Sequence, residues 1–424
     1  MNTGTTHHTA PKTVRDPRLD FFRGIAMFII FIAHTPRDFW ALWIPARFGF
    51  SDATETFVFC SGMASSIAFG AVFLTKGWLM GTARILHRVW QVYWAHIGLF
   101  LAVLLLVTSF DKLGIYTGES GKYLFVNSLN LQHFFAKTPD LIIGLFTLTY
   151  VPNYFDILPM YLVILAMIPI VMGLSRISLW AVSIFVIGVW LLANLPLIGG
   201  SLLNFPAEPW SKRQWFFNPL GWQLVFFTGF AFMRGWIKPP TITNNRLIIA
   251  GAIVLLTIPF AYYRILNEQP FLRDIANDLR PFTAKTQFGI FRYVHFLATA
   301  YLGWAAVGPM GSRLKNWGRG QIIVDTIRKV GQQSLAVFVS SLVLAQLLGA
   351  IFKIYGTHWS LVLIGNVAGF AALIAIAHLV GWFKSQPWRQ SAIPNPQSSV
   401  PRLDQHNAQG GTTLPQGIPA RKID

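Results

Sequence analysis

Arg23 and His34 stand eleven residues apart in the run Arg23-Gly24-Ile25-Ala26-Met27-Phe28-Ile29-Ile30-Phe31-Ile32-Ala33-His34. On an α-helix that separation is about 16 Å of rise and three turns plus about 20°, so both side chains leave one face. Ionisable groups inside an apolar helix are costly and point to function by default. A guanidinium at one end of such a stripe suits an anionic head group, and an imidazole at the other suits proton transfer. The competing reading of His34 is a structural histidine bonded to a neighbouring helix. Pro36, two residues on, is expected to bend the chain beside the imidazole.

Asp52 and Glu55, one turn apart, open the next apolar stretch on the side where His34 should also lie. A carboxylate bonded to an imidazole fixes its tautomer and stabilises the imidazolium. Ser51, Asp52 and Glu55 equally fit a helix N-cap with an acid in the first turn. An oxyanion formed here would need donors, for which Arg37, Thr35 and Tyr161 are candidates. Arg292 and His295, one turn apart at a span end, are positioned to meet substrate. His96 and His378 read as structural. Arg84 and Arg88, at i, i+4 spacing with Arg23 nearby in depth, suit the phosphates of a nucleotide-bearing donor.

These residues need a membrane to position them. The 424-residue chain is 54% hydrophobic and 12% charged, with 16 Trp and 36 Phe, whereas soluble domains carry about 25% charged residues. Apolar stretches near the ~20 residues needed to cross a bilayer fall at about 22–44, 53–75, 89–110, 155–174, 178–198, 220–237, 247–264, 291–310, 331–354 and 360–383. The expectation is an all-α polytopic membrane protein of about ten helices, with both termini cytoplasmic. In that topology nearly all of the formal +18 charge lies on the cytoplasmic side, the positive-inside pattern. The basic charge is therefore topological and gives no reason to expect nucleic acid; membrane lipids are the expected surroundings.

Residues 1–17 and 385–424 are polar and read as disordered cytoplasmic tails around one membrane domain at 18–384. The long outer loops fall at about 111–153, 199–219 and 265–290. In them aromatic and polar residues alternate, as in Trp210-Ser211-Lys212-Arg213-Gln214-Trp215, and with Trp222 just beyond they offer faces on which a sugar could stack. Gly77 to Gln91 reads as a short interfacial helix at the cytoplasmic surface. Cys60 is the single cysteine, which excludes an intrachain disulfide and leaves no cysteine metal site. No phosphate-binding loop, dinucleotide fingerprint, zinc spacing or Gly-x-Ser-x-Gly elbow occurs. No metal or permanently bound cofactor is expected.

The Arg-x10-His of the first span resembles the hallmark of the acyltransferase family 3 membrane enzymes. Four strings resemble more narrowly the OpgC branch, which succinylates osmoregulated periplasmic glucans: Arg15 to Gly24, Phe50 to Glu55, Asn218 to Gln223 followed by Phe226 to Gly229, and Gly331 to Leu335. The resemblance implies a bacterial inner-membrane protein of ten helices that transfers a group from cytoplasmic acyl-coenzyme A, here succinyl-coenzyme A, to a glucan hydroxyl outside. Carried over by position, it assigns donor binding to Arg23 and catalysis to His34, and Arg84 and Arg88 match the family's basic segment after the second span and are expected at the donor; the residues' own placement adds Asp52 or Glu55 as the acid that orients His34. From the residues themselves, Arg37, Tyr161, Arg292, His295 and Trp222 are expected on the acceptor side. The family's Trp-Ser-Leu and paired glutamates are absent around Asp156, and Val339-Ser340-Ser341 stands where a Leu-Trp-His string is common. The rival reading is a proton-coupled transporter or flippase using His34, Asp52 and Glu55 as a relay, which would predict inverted internal repeats; none is visible. A homo-oligomer is compatible with the sequence.

Overall fold

Helix boundaries follow from local capping. Asp16 accepts from the backbone N–H of Arg18 and Pro17 occupies the first turn, so the first helix, α1, runs Pro17–His34. It stops there because Thr35 precedes a proline, which disfavours helical backbone at the residue before it. The span expected to reach residue 44 is therefore shorter. Pro36 lies outside the helix and does not bend it; two short 3-10 turns, Phe39–Leu42 and Pro45–Arg47, follow. The computed structural model of the chain describes residues 16–114, 124–257, 269–315 and 317–389, so the expected tails fall almost wholly outside the described residues.

The helices after α1 are α2 (Ala53–Thr75, with a π-helical turn at Ser66–Gly70), α3 (Gly77–Leu113), α4 (Ile157–Leu174), α5 (Leu179–Ala193) and α6 (Pro219–Arg234). They are followed by α7 (Asn245–Thr257), α8 (Ile290–Ala306), α9 (Gln321–Gln332), α10 (Ser334–Tyr355) and α11 (Trp359–Ser385). No strand occurs among the described residues; the one isolated bridge joins Pro206 and Gln214. Five of these helices, α2, α3, α4, α10 and α11, are long and apolar enough to cross a membrane. Shorter apolar helices lie at Thr138–Thr147, in α5 and in α7.

Two sequence expectations change here. Gly77 to Gln91 is no separate interfacial helix: it is the first part of the 37-residue α3, because neither Gly nor Pro interrupts the chain where the apolar run begins. The loop expected at 111–153 contains helices at Leu124–Ser128, Gln132–Ala136 and Thr138–Thr147.

The core forms where α6 packs on α2, α5 and α4, and where α1 packs on α9, α2 and α10. Outward-facing positions are also apolar, as with Trp180, Ile184, Ile187 and Leu191 along α5. A helix apolar on both sides expects lipid on one of them. At the α1–α9 crossing the backbones touch. A Cβ on Gly24 would sit 2.0 Å from the Ile327 carbonyl oxygen, and one on Gly331 1.9 Å from that of Asp20. Two of the four recognised strings thus meet each other through their glycines.

Candidate functional site

His34 closes α1, and its Nδ1 lies 2.8 Å from the Ile30 carbonyl oxygen. A carbonyl only accepts, so Nδ1 carries the proton and Nε2 is left as the ring's acceptor. The tautomer is thus fixed by the backbone of its own helix, where the sequence pointed to Asp52 or Glu55. One flank of the ring meets Tyr154 edge-on at 5.3 Å. Tyr154, in a left-handed backbone conformation, donates its hydroxyl to the Leu342 carbonyl at 2.6 Å. The charges whose fields reach the imidazole are Lys285 and Asp52.

Asp52 and Glu55 form the capping box of α2. Asp52 Oδ1 accepts from the Thr54 amide at 2.6 Å, and Glu55 Oε2 accepts from the Asp52 amide at 2.8 Å. Each carboxylate also holds a cation. Lys285 Nζ donates to Asp52 Oδ2 at 2.5 Å, and Arg292 Nη1 donates to Glu55 Oε1 at 2.7 Å. Glu55 is wholly buried, so its pairing with Arg292 removes what would be a costly isolated charge. Burial works against ionisation of Asp52, but Lys285 and the hydrogen bonds from its neighbours outweigh it and hold the carboxyl well below the usual carboxylate value. Capping and charge placement are therefore done by the same two acids.

Lys285 reaches Asp52 because its loop is strapped down carbonyl by carbonyl. Trp222 Nε1 donates to the Lys285 carbonyl at 2.8 Å, the Asn218 amide to that of Thr286 at 3.0 Å, Asn194 Nδ2 to that of Gln287 at 3.1 Å, and Trp190 Nε1 to that of Phe288 at 2.9 Å. A Cβ on Gly221 would lie 2.1 Å from the Gln287 oxygen, so glycine is what lets α6 come this close. The string Asn218 to Gln223 supplies two of these ties, and Trp190 and Asn194 supply the others. Trp222 is fully buried between Phe217 and Phe288, which turns it away from the sugar-stacking role expected of it.

Other expected site residues divide by place. His295 and Arg292 join the His34–Asp52–Glu55 end, Arg292 on Glu55 and His295 on Ser51, whose Oγ lies 2.7 Å from His295 Nδ1. Tyr161 is half-buried in packing against Phe226. Arg37, three residues after His34, is exposed with φ 66°, and its charge reaches Lys353 of α10. Asp156 Oδ1 accepts from the Phe216 amide at 2.9 Å, a tie between loop and helix. Arg23, about three turns from this end, donates from Nη2 to Ser334 Oγ at the start of α10. Arg84 is exposed on α3, and Arg88 bonds Gln91 of its own helix at 3.1 Å. Among the described residues no group of three or more His, Cys, Asp or Glu could hold a metal ion.

Lys285 and Tyr154 were missed in the sequence. Lys285 is one lysine in a loop, more than 200 residues from its acid, and carries no periodic signal. Tyr154 precedes its span and shows only as an aromatic among loop residues.

A bundle of apolar helices that gathers a histidine, two carboxylates and two cations at one helix end defines a helical membrane protein with a polar site built into it. Its place among known proteins is equally direct: residues 15–385 match the family model described as OpgC protein, and the chain belongs to that family, whose role lies in modifying osmoregulated periplasmic glucans. No curated protein and no solved structure matches the chain.

Proposed function

We propose that this protein is an O-acyltransferase of the bacterial inner membrane, taking an acyl group, succinyl in the first instance, from cytoplasmic acyl-coenzyme A to a hydroxyl of a periplasmic glucan. The observation that carries the reading is His34: its Nδ1–H is spent on Ile30, so Nε2 is an available base, and it shares a helix stripe with Arg23. In the proposed step Nε2 removes the hydroxyl proton as the oxygen attacks the thioester carbonyl. The carbon–sulfur bond breaks and the imidazolium returns the proton to the thiolate. General-base help of this kind is worth about 10² to 10⁴-fold.

Arg23, steadied by Ser334, and the basic turn at Arg84 and Arg88 offer the donor's phosphates their forked hydrogen bonds. Arg37, exposed three residues beyond His34, offers a cation to the acceptor or to the free carboxylate of a succinyl group. Lys285, balanced by Asp52, sets the field in which charge develops at the thioester oxygen. Ten spans with both termini cytoplasmic would bring donor and acceptor to opposite ends of α1.

The test is mass spectrometry of periplasmic glucans from a deletion strain complemented with wild type or His34→Ala at equal membrane abundance. Acyl substituents should return with wild type only. Identical substituents in every strain would remove the glucan as acceptor. Full complementation by His34→Ala would remove the mechanism and bring the proton-relay transporter forward.

A further inference from the structure

A second histidine stands at the same end of the bundle, and three consecutive residues wrap around it. Gly49 lies against one ring edge, where a Cβ would sit 2.4 Å from His295 Nε2. Phe50 meets the ring at 5.9 Å, and Ser51 holds the opposite edge through both its amide, 3.2 Å from Nδ1, and its hydroxyl, 2.7 Å from Nδ1.

An amide can only donate, so Nδ1 is an acceptor and the ring proton resides on Nε2. The hydroxyl is then the donor in its own contact with Nδ1. A serine whose O–H points at an unprotonated imidazole within 2.6–3.2 Å has the geometry of an activated nucleophile. Ser51 is 4% exposed and His295 5%, and among the described residues His295 Nε2 finds no hydrogen-bond partner, an arrangement that tying down a loop does not require. Both residues line a cleft of about 340 Å³ whose walls include Phe22, Ile25, Ile29 and Phe48. Asp52, which lines the same cleft, also acts electrostatically on His34.

We infer that Ser51, with His295 as its base, accepts the acyl group before the glucan does. This rests on the acyltransferase reading and deepens it by replacing the glucan's direct attack on the thioester with two steps through a Ser51 ester. In the first half, Ser51 Oγ attacks the thioester carbonyl, its proton passes to His295 Nδ1, the carbon–sulfur bond breaks, and the proton goes on to the thiolate as coenzyme A leaves. In the second, the glucan hydroxyl gives its proton to His34 Nε2 and attacks the Ser51 ester. The acyl–Oγ bond breaks and the proton returns to Ser51 Oγ. The N-terminus of α2, which Ser51 precedes by two residues, and Lys285, held on Asp52, would offer the carbonyl oxygen positive charge in both halves.

The experiment uses the full-length protein in lipid nanodiscs with isotopically labelled succinyl-coenzyme A, acid-quenched and digested, with glucan added or withheld. The peptide carrying Ser51 should gain a succinyl mass without glucan, should accumulate it in His34→Ala even with glucan, and should lose it in Ser51→Ala and His295→Gln. Transfer to glucan should fall at least about 100-fold in Ser51→Ala. Ser51→Cys keeps a nucleophile in place, and its label should become labile to neutral hydroxylamine. The thiol accessibility of Cys60 reports folding of each variant other than Ser51→Cys, which near-wild-type detergent-size-exclusion behaviour covers. Glucan succinylated at the wild-type rate by folded Ser51→Ala, with no label on the peptide, would overturn the covalent stage while leaving the acyltransferase reading intact. Absence of transfer by the wild type would overturn that reading and this inference with it.

Discussion

Replacing Lys285 with methionine keeps most of the side chain's volume and removes the ammonium that Asp52 Oδ2 holds at 2.5 Å. The carboxylate would remain, with the amides of the α2 capping box as its surviving partners. The side chains are 28% and 11% exposed, so the pair lies between two regimes. Exposed pairs are worth about 0–1 kcal/mol, and breaking a fully buried one costs about 3–5 kcal/mol. A loss of about 2 kcal/mol is expected for Lys285→Met on that interpolation. Asp52→Asn in the same background should recover at least about 1 kcal/mol of it, since the double variant strands no charge. Cys60 makes the measurement direct: it is the single cysteine and 2% exposed, so a thiol-reactive dye reports unfolding in detergent.

The pH dependence has a definite sign. Asp52's carboxyl is lowered in the folded protein, so its stabilisation is fully present above the unfolded value of about 4. It is lost only as pH falls through the lower folded value. The part of the gap between wild type and Lys285→Met that Asp52 carries should therefore begin to close only below about pH 4. A single-variant cost under about 0.5 kcal/mol, or additive effects in the cycle, would refute the claim that the pair organises this end of the bundle.

His34→Asn should reduce glucan acylation by about 10² to 10⁴-fold with folding preserved, because its amide N–H sits where the ring's Nδ1–H bonds Ile30 but cannot act as the base; Cys60 labelling provides the folding check. Trp222→Phe removes the donor to the Lys285 carbonyl, should cost about 1 kcal/mol in thermal unfolding, and should lower kcat more than it raises KM. Gly24→Ala drives a methyl group onto the Ile327 carbonyl and should destabilise by about 1–3 kcal/mol, with loss of folded yield in detergent as the readout. Arg23→Ala should raise the KM for acyl-coenzyme A at least about tenfold while Ser334→Ala raises it less, measured by donor titration at saturating acceptor.

Periodicity made the first helix readable. The 3.6-residue repeat alone placed Arg23 and His34 on one stripe, and the Asp52–Glu55 spacing announced the capping box that the structure contains. The end of α1 was also written in the chain, at Thr35 before Pro36, but the apolar residues from Phe39 to Ile44 masked it, since hydropathy does not distinguish helix from membrane-edge turns. Pairings were harder to read. A buried acid or arginine advertises that something must neutralise it without saying what, so Arg292 and His295 were legible as polar intruders and their partners Glu55 and Ser51 were not assigned. Trp222 shows the converse error: a tryptophan next to sugar-suited loops was given a surface role, although its indole N–H serves a backbone carbonyl. Lys285 acts through a loop whose shape comes from side chains on two other helices, and no local pattern encodes that.

The glycine contacts of α1 with α9 have a mechanical consequence. Near its other end the Pro36 ring abuts the backbone of α10, where a Cβ on Gly349 would sit 2.3 Å from Cδ. Held at both ends, α1 cannot slide like a piston or swivel between two registers, and it behaves as a ruler about 16 Å long between its guanidinium and imidazole marks. For the proposed donor, substrate length is then a selection rule built into the scaffold. A thioester on a bare pantetheine arm still reaches the far mark but leaves the near one unused, so it should be turned over with the same product and a much weaker grip.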